Sequence, residues 1–182
     1  MTWASEEQAR QAVGRTPSDH LARLGIILPP VAKPLAAYAP ATQSGGLVFT
    51  AGQLPMVDGT LAITGKVGAE VSQEQAVEAA RICALNALAA AAAEAGGVDE
   101  LERIVKVVVF VASAPDFTGQ PAVADGASQL FGDVFGSDLK HARSAVGVSV
   151  LPLNAPVEIE VVARRGLRTA VTPLGVSTGI QA

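Results

Sequence analysis

The order of patterns along the 182 residues predicts an α+β domain in which two helices cover one face of a single β-sheet. Three observations carry this. The run from Ile104 to Val111 is β-branched except for Lys106 and Phe110, the composition of a strand covered on both faces. Two helical patterns flank it, an alanine-rich one opening at Ser72 and a second from Pro121 to Phe135. The stretch from Arg143 to Arg165 alternates apolar and polar residues in two strand-length pieces. Strands, helix, strand, helix and two strands follow one another, and the sheet face away from the helices stays partly apolar.

Composition narrows the class. Apolar residues make up 49% and charged residues 16%, as in a soluble globular protein. Mean hydropathy of +0.37 is high for a small monomer. No apolar run in the sequence reads as a membrane span, so buried subunit interfaces are expected. A net charge of −4 and 4% aromatics argue against a nucleic-acid binder, which needs a basic surface and stacking rings. The single cysteine, Cys83, excludes an internal disulfide framework. The polar, acidic N-terminus does not read as a secretory signal, and the cytoplasm is the expected compartment.

Residues 1–34 read as an N-terminal extension. Ser5–Val13 has helical composition, and Pro17-Ser18-Asp19 resembles a cap before His20–Leu24. From Ile27 to Pro40, prolines at 29, 30, 34 and 40 forbid a regular helix and predict an extended connector. Tyr38, the one tyrosine, sits there; from the chain alone it reads as a packing residue. Gly45-Gly46 marks a turn, and Leu47–Pro55 reads as a buried strand. Asp58-Gly59 signals a hairpin with its second strand near Leu61–Thr64 or Gly65–Ala69. Ser72 and Gln75 form a capping box for a helix that runs to about Ala95 and stops at Gly96-Gly97. Its stripe is Val77, Ala80, Ala84, Leu88 and Ala91. Cys83 on this helix reads as a buried, inert thiol. Leu101–Ser113 is a strand. In the next helix Val123, Ala127, Leu130, Phe131 and Val134 face the sheet, while Gly126 and Gly132 each weaken it by about 1 kcal/mol relative to alanine. After Gly166 no period survives.

Several chemistries are excluded. Gly59 to Val67 superficially matches a phosphate-binding loop, but it is one residue too long and Val67 replaces the magnesium-binding hydroxyl. His20, His141 and Cys83 are too scattered for a zinc site. Neither histidine has a local nucleophile arrangement.

The closing strands hold the chemistry. Alternation places Arg143, Ala145, Gly147 and Ser149 on one face, with Ser144, Val146, Val148 and Val150 on the other. In the next strand Glu158 and Glu160 oppose Val157, Ile159 and Val161. With the apolar faces turned inward, one arginine and two glutamates share the remaining side. Arginine binds a carboxylate bidentately and keeps its charge when buried. A glutamate nearby activates water or protonates a leaving nitrogen. An ion pair on a solvated face fits the same residues. A simple hairpin through Pro152 and Pro156 would separate Arg143 and Glu158 by about six strand positions, roughly 20 Å. A shared site then needs a bulge, another pairing, or a second subunit, and a site between subunits is the expectation.

Taken together, Tyr38–Pro55, the capped alanine-rich helix, Ile104–Phe117 and His141–Ala163 resemble the RidA (YjgF) family, over about residues 35–165. Residues 166–182 are then a C-terminal tail. The HARSAVG run and the N-terminal extension resemble one branch of the family. The resemblance implies a chorismate-mutase-like α+β fold with a single mixed sheet, assembled as a homotrimer with clefts between subunits. It implies cofactor-independent hydrolysis of reactive enamines and imines, 2-aminoacrylate and 2-imino acids, to 2-keto acids and ammonia, without metal. Arg143 matches the arginine that holds the substrate carboxylate, Glu158 the glutamate that positions water, and Tyr38 a cleft tyrosine. Gly52 and Gln53 match a structural strand end. Ala51 replaces the family's serine, Ala145 a common cleft cysteine in the substrate pocket, and His141 a usual proline, which points to a different substrate. A non-catalytic trimer that binds small carboxylates or keto acids as a sensor or partner protein is the alternative. The acidic, aromatic-poor composition disfavours a ribonuclease.

Overall fold

The computed structural model describes residues 16–31 and 37–166. The expected helix over Ser5–Val13 and nearly all of the tail lie outside them. Helix α1 spans Pro17–Arg23. Its cap is Thr16 rather than Ser18: the Thr16 hydroxyl accepts from Asp19 N while the Asp19 carboxylate accepts from Thr16 N. Ser18 instead donates to Asp99 through its amide (2.8 Å) and hydroxyl (2.7 Å), which ties α1 to the turn after the next helix.

Strands β1 (Ala41–Ser44) and β2 (Leu47–Thr50) form a hairpin across Gly45-Gly46. Strand β1 went unseen in the sequence because ATQS has little apolar content and only Ala41 is buried. Met56–Val57 (β3) and Thr60–Leu61 (β4) make a small separate ladder, shorter than expected. Its turn residues Asp58 (φ 49°) and Gly59 (φ 81°) are both left-handed, as a primed hairpin turn requires. Helix α2 (Gln73–Ala95) begins at the expected Ser72–Gln75 capping box and ends on left-handed Gly96. Strand β5 (Leu101–Ala112), helix α3 (Gln120–Phe135), strand β6 (Ala142–Val148) and strand β7 (Val157–Arg165) complete the domain.

The main sheet runs β1-β2-β7-β5-β6. Strands β5 and β6 are parallel, with α3 as the crossover that parallel pairing demands; the other pairs are antiparallel. The expected β6–β7 hairpin is therefore overturned. Strand β5 lies between the two, pairing Val107 with Arg143 on one side and Val161 on the other. The covered face presents Val48, Val107, Val109, Val111, Val157, Ile159, Val161 and Ala163, all buried under the helices.

Alanines let α2 lie close to the sheet: Ala76, Ala80, Ala84 and Ala87 are fully buried. This helix also corrects the reading that no segment has the character of a membrane span. Its 23 residues meet that test by length and composition, yet 67% of the qualifying window is buried within the domain. Gly126 has a role the sequence did not show. A Cβ there would lie 2.2 Å from the carbonyl oxygen of Val77, so glycine is what lets α3 cross α2 so closely.

Candidate functional site

Glu158 lies on the open face of β7, level with Phe110 of β5 and, through it, Val146 of β6. Beside it the β2–β7 ladder is irregular. Phe49 pairs with Val162 and Gln53 with Ile159, so four steps on one strand oppose three on the other. The extra residue makes a bulge. The Thr50 hydroxyl fills the gap by accepting from Val161 N at 3.0 Å. Gln53 resumes the ladder, exchanging backbone hydrogen bonds of 2.8 and 3.0 Å with Ile159. The bulge turns the Ala51-Gly52 backbone against the glutamate. A Cβ on Gly52 would fall 1.7 Å from Glu158 Oε1, so only glycine admits the carboxylate there.

Tyr38, Thr42, Ala51, Gly52, Glu158 and Glu160 line a groove of about 560 Å³, with Phe49 in its wall. The structure thus places Tyr38 and Glu158 together. Among the described residues no cation pairs with Glu158. Burial raises its pKa above the ordinary glutamate range, and the neighbouring Glu160 carboxylate adds to the effect.

Arg143 lies elsewhere. Val109 pairs with Ala145 and is buried beneath the helices, so Arg143, Ala145 and Gly147 point to the covered side, while Ser144, Val146 and Val148 share the open side with Glu158. The expectation that the arginine and glutamates occupy one face is therefore wrong. Within one chain Arg143 and Glu158 are two strands and three strand positions apart, about 10 Å in each direction, on opposite sides of the sheet. Ala145 packs against the core rather than in either cavity.

Arg143 is held by α3. Its Nη1 donates to Asp125 Oδ1 at 2.7 Å and to Ser128 Oγ at 3.0 Å. Both bonds use one nitrogen, and among the described residues this leaves the Nε–Nη2 edge as a free fork of the kind that grips a carboxylate. Because Ser128 accepts from the arginine, its own hydrogen is free for His141 Nε2, 3.1 Å away. The His141 ring also packs edge-on to Phe131, with centroids 6.1 Å apart. Burial first, then the charges of Arg143 and Lys140, lower its pKa, so it is neutral at pH 7 and accepts that hydrogen. Ser128, Ser137, Leu139, Lys140, His141 and Arg143 line a cavity of about 220 Å³. Sequence reasoning missed Asp125 and Ser128; their spacing of three on one helix face was the available signal. Cys83 is buried as expected, donates weakly to Val157 O at 3.5 Å, and has its pKa raised by burial. Among the described residues no three His, Cys, Asp or Glu side chains converge as a metal site requires.

The sequence and fold match a known class. The endoribonuclease L-PSP family model covers residues 30–165, and the chain belongs to that family, the RidA/YjgF group of the sequence resemblance. Protein TCP17 of Trypanosoma cruzi is 43% identical over 150 residues, covering 82% of this chain and 93% of the relative. The 2-iminobutanoate/2-iminopropanoate deaminase of Dermatophagoides farinae is 34% identical over 137 residues, covering 74% and 91%. Among solved structures, protein Atu1372 of Agrobacterium tumefaciens, of unknown function, superposes with a TM-score of 0.74 at 42% identity, covering 82% and 92%.

Proposed function

We propose that the protein hydrolyses small reactive imines, 2-imino acids and their enamine tautomers, to 2-keto acids and ammonia, in sites formed between the subunits of a homotrimer. The observation that carries this is Glu158: a half-buried carboxylate with no cation partner among the described residues, with a raised pKa, facing a groove beside Tyr38. Such a group takes a proton from water and later returns it, the two duties this hydrolysis demands. The name of the mite relative supports the same reading.

In the proposed reaction the Nε–Nη2 edge of Arg143 from one copy grips the substrate carboxylate. Glu158 of an adjoining copy removes a proton from water as its oxygen adds to the C=N carbon. The substrate nitrogen takes that proton, giving the neutral carbinolamine; Glu158 then passes the hydroxyl proton to the nitrogen as the C–N bond breaks and the C=O bond forms, and ammonia leaves. No electrons change hands. The separation of Arg143 and Glu158 within one chain requires the second copy. The open sheet face, where Phe49 and Val146 are 37% and 45% exposed, supplies apolar surface for that contact.

The same separation favours a second reading, a carboxylate-binding protein without chemistry. The two are distinguished by generating 2-imino acids in place with an amino-acid oxidase and following keto-acid release. Acceleration by the wild type, lost in Arg143→Ala and in Glu158→Gln, supports hydrolysis. Absence of acceleration with any imine, alongside measurable keto-acid binding, leaves the binding reading. Activity in a monomeric variant that keeps the fold would refute the shared site.

A further inference from the structure

The two cavities differ in charge. The charged residues described in the lining of the Glu158 groove are carboxylates, whereas the cavity beside Arg143 has Arg143, Lys140 and His141 with the hydroxyls of Ser128 and Ser137, and no carboxylate among its described lining residues. Asp125, the one acidic group bound to Arg143, engages Nη1 and is not part of the lining. Lys140 is held by its backbone: Arg103 Nη2 donates to its carbonyl at 2.7 Å, and its amide donates to Asp138 O at 3.0 Å. Lys140 is exposed and lines the cavity. A space of about 220 Å³ lies below the range of drug-sized pockets and admits only a small ligand.

We infer that this cavity is a subsite for a second negative group, and that the preferred ligands are 2-imino and 2-keto acids with a carboxylate at the far end of a short side chain. The inference rests on the reading of Arg143 as the anchor of the first carboxylate. The first carboxylate takes the free Nε–Nη2 edge. The second enters the cavity, where Lys140 supplies the charge and Ser137 a hydrogen bond. His141, neutral and with Nε2 turned to Ser128, closes the wall. A side chain ending in methyl would leave Lys140 and Ser137 facing apolar carbon, so the cavity discriminates by charge rather than by size.

A matched pair tests this: 2-oxoglutarate and 2-oxopentanoate share a carbon skeleton and differ in the terminal carboxylate. Calorimetric titration of the full-length protein should show about tenfold tighter binding of 2-oxoglutarate, the size of one charge-assisted contact. The same preference should appear in kcat/KM for the imines generated from glutamate and from norvaline. Lys140→Ala should collapse the ratio towards unity, and Lys140→Arg should restore most of it. Equal affinities, or a preference for 2-oxopentanoate, would overturn the subsite while leaving the anchoring role of Arg143 intact. A ratio that survives Lys140→Ala would also overturn it. If neither keto acid binds and neither imine is accelerated, the reading of Arg143 itself fails, and the subsite with it.

Discussion

Gly52→Ala is the sharpest test of the proposed water-activating group, because it leaves Glu158 chemically untouched. The new Cβ would sit 1.7 Å from Oε1, 2.7 Å from Cδ and 3.0 Å from Cγ of that side chain. A van der Waals contact needs more than 3 Å, so the carboxylate must move by about 1.5 to 2 Å. The obstacle is the far end of a part-exposed, flexible side chain, and an off-rotamer turn relieves it for about 1 kcal/mol. Alanine offsets most of that by reducing the freedom of the unfolded chain, by about 0.4–1 kcal/mol where the backbone accepts it. Stability should therefore change little. Activity should fall by about 100-fold, since a displacement of even 1 Å in a reacting group costs that much. Keto-acid release from an in-place imine measures the rate, and a thermal melt checks the fold. Wild-type activity in Gly52→Ala, with Glu158→Gln inactive, would refute the argument that this close approach fixes the carboxylate.

Gly126→Ala should behave in the opposite way. Helix propensity alone predicts a gain of about 1 kcal/mol, but the new Cβ would meet the backbone carbonyl of Val77, which has no flexible side chain to move aside, so a loss of about 1–3 kcal/mol is expected. A raised melting temperature would sink that reading. Glu158 has a folded pKa above its unfolded value near 4.5, so its protonated form favours the fold and that contribution is lost as pH rises through the folded value. Glu158→Gln should accordingly melt above the wild type at pH 7, with the gap closing below about pH 4.5. In the wild type, kcat/KM should rise with pH as Glu158 ionises, and a rise that persisted in Glu158→Gln would assign it to another group. Cys83 should resist thiol reagents in the folded protein and react on denaturation; rapid labelling of the native state would contradict its burial.

Much of the fold was legible because it rests on local chemistry. The Ser72–Gln75 box, left-handed Gly96, the buried stripe of α3 and the apolar run of β5 are written in neighbouring residues. The relation between Arg143 and Glu158 was not. Alternation assigns each strand two faces, but not which faces coincide once another strand intervenes. Strands β6 and β7 are consecutive and looked like a hairpin, whereas β5, some thirty residues upstream of β6, separates them. The role of Gly52 was hidden for a related reason: its meaning lies in a bulge, which depends on the partner strand's register. Tyr38 could be linked to Glu158 only through the family resemblance, because no local pattern joins positions so distant in the chain.

The placement of Arg143 and Glu158 on opposite sides of one sheet has a genetic consequence. With each site shared between two copies, as proposed, a defect in the arginine half and a defect in the glutamate half lie in different copies of the chain, so they can compensate. Subunits carrying Arg143→Ala and subunits carrying Glu158→Gln, each inactive alone, should regain activity when unfolded and reassembled together. Random mixing in equal amounts gives about one quarter intact sites, when each site takes one residue from each of two neighbours in a ring. Two inactive alleles of such a protein would then complement one another in one cell, and a cell with one damaged copy of the gene would lose sites in proportions set by subunit mixing rather than by gene dosage.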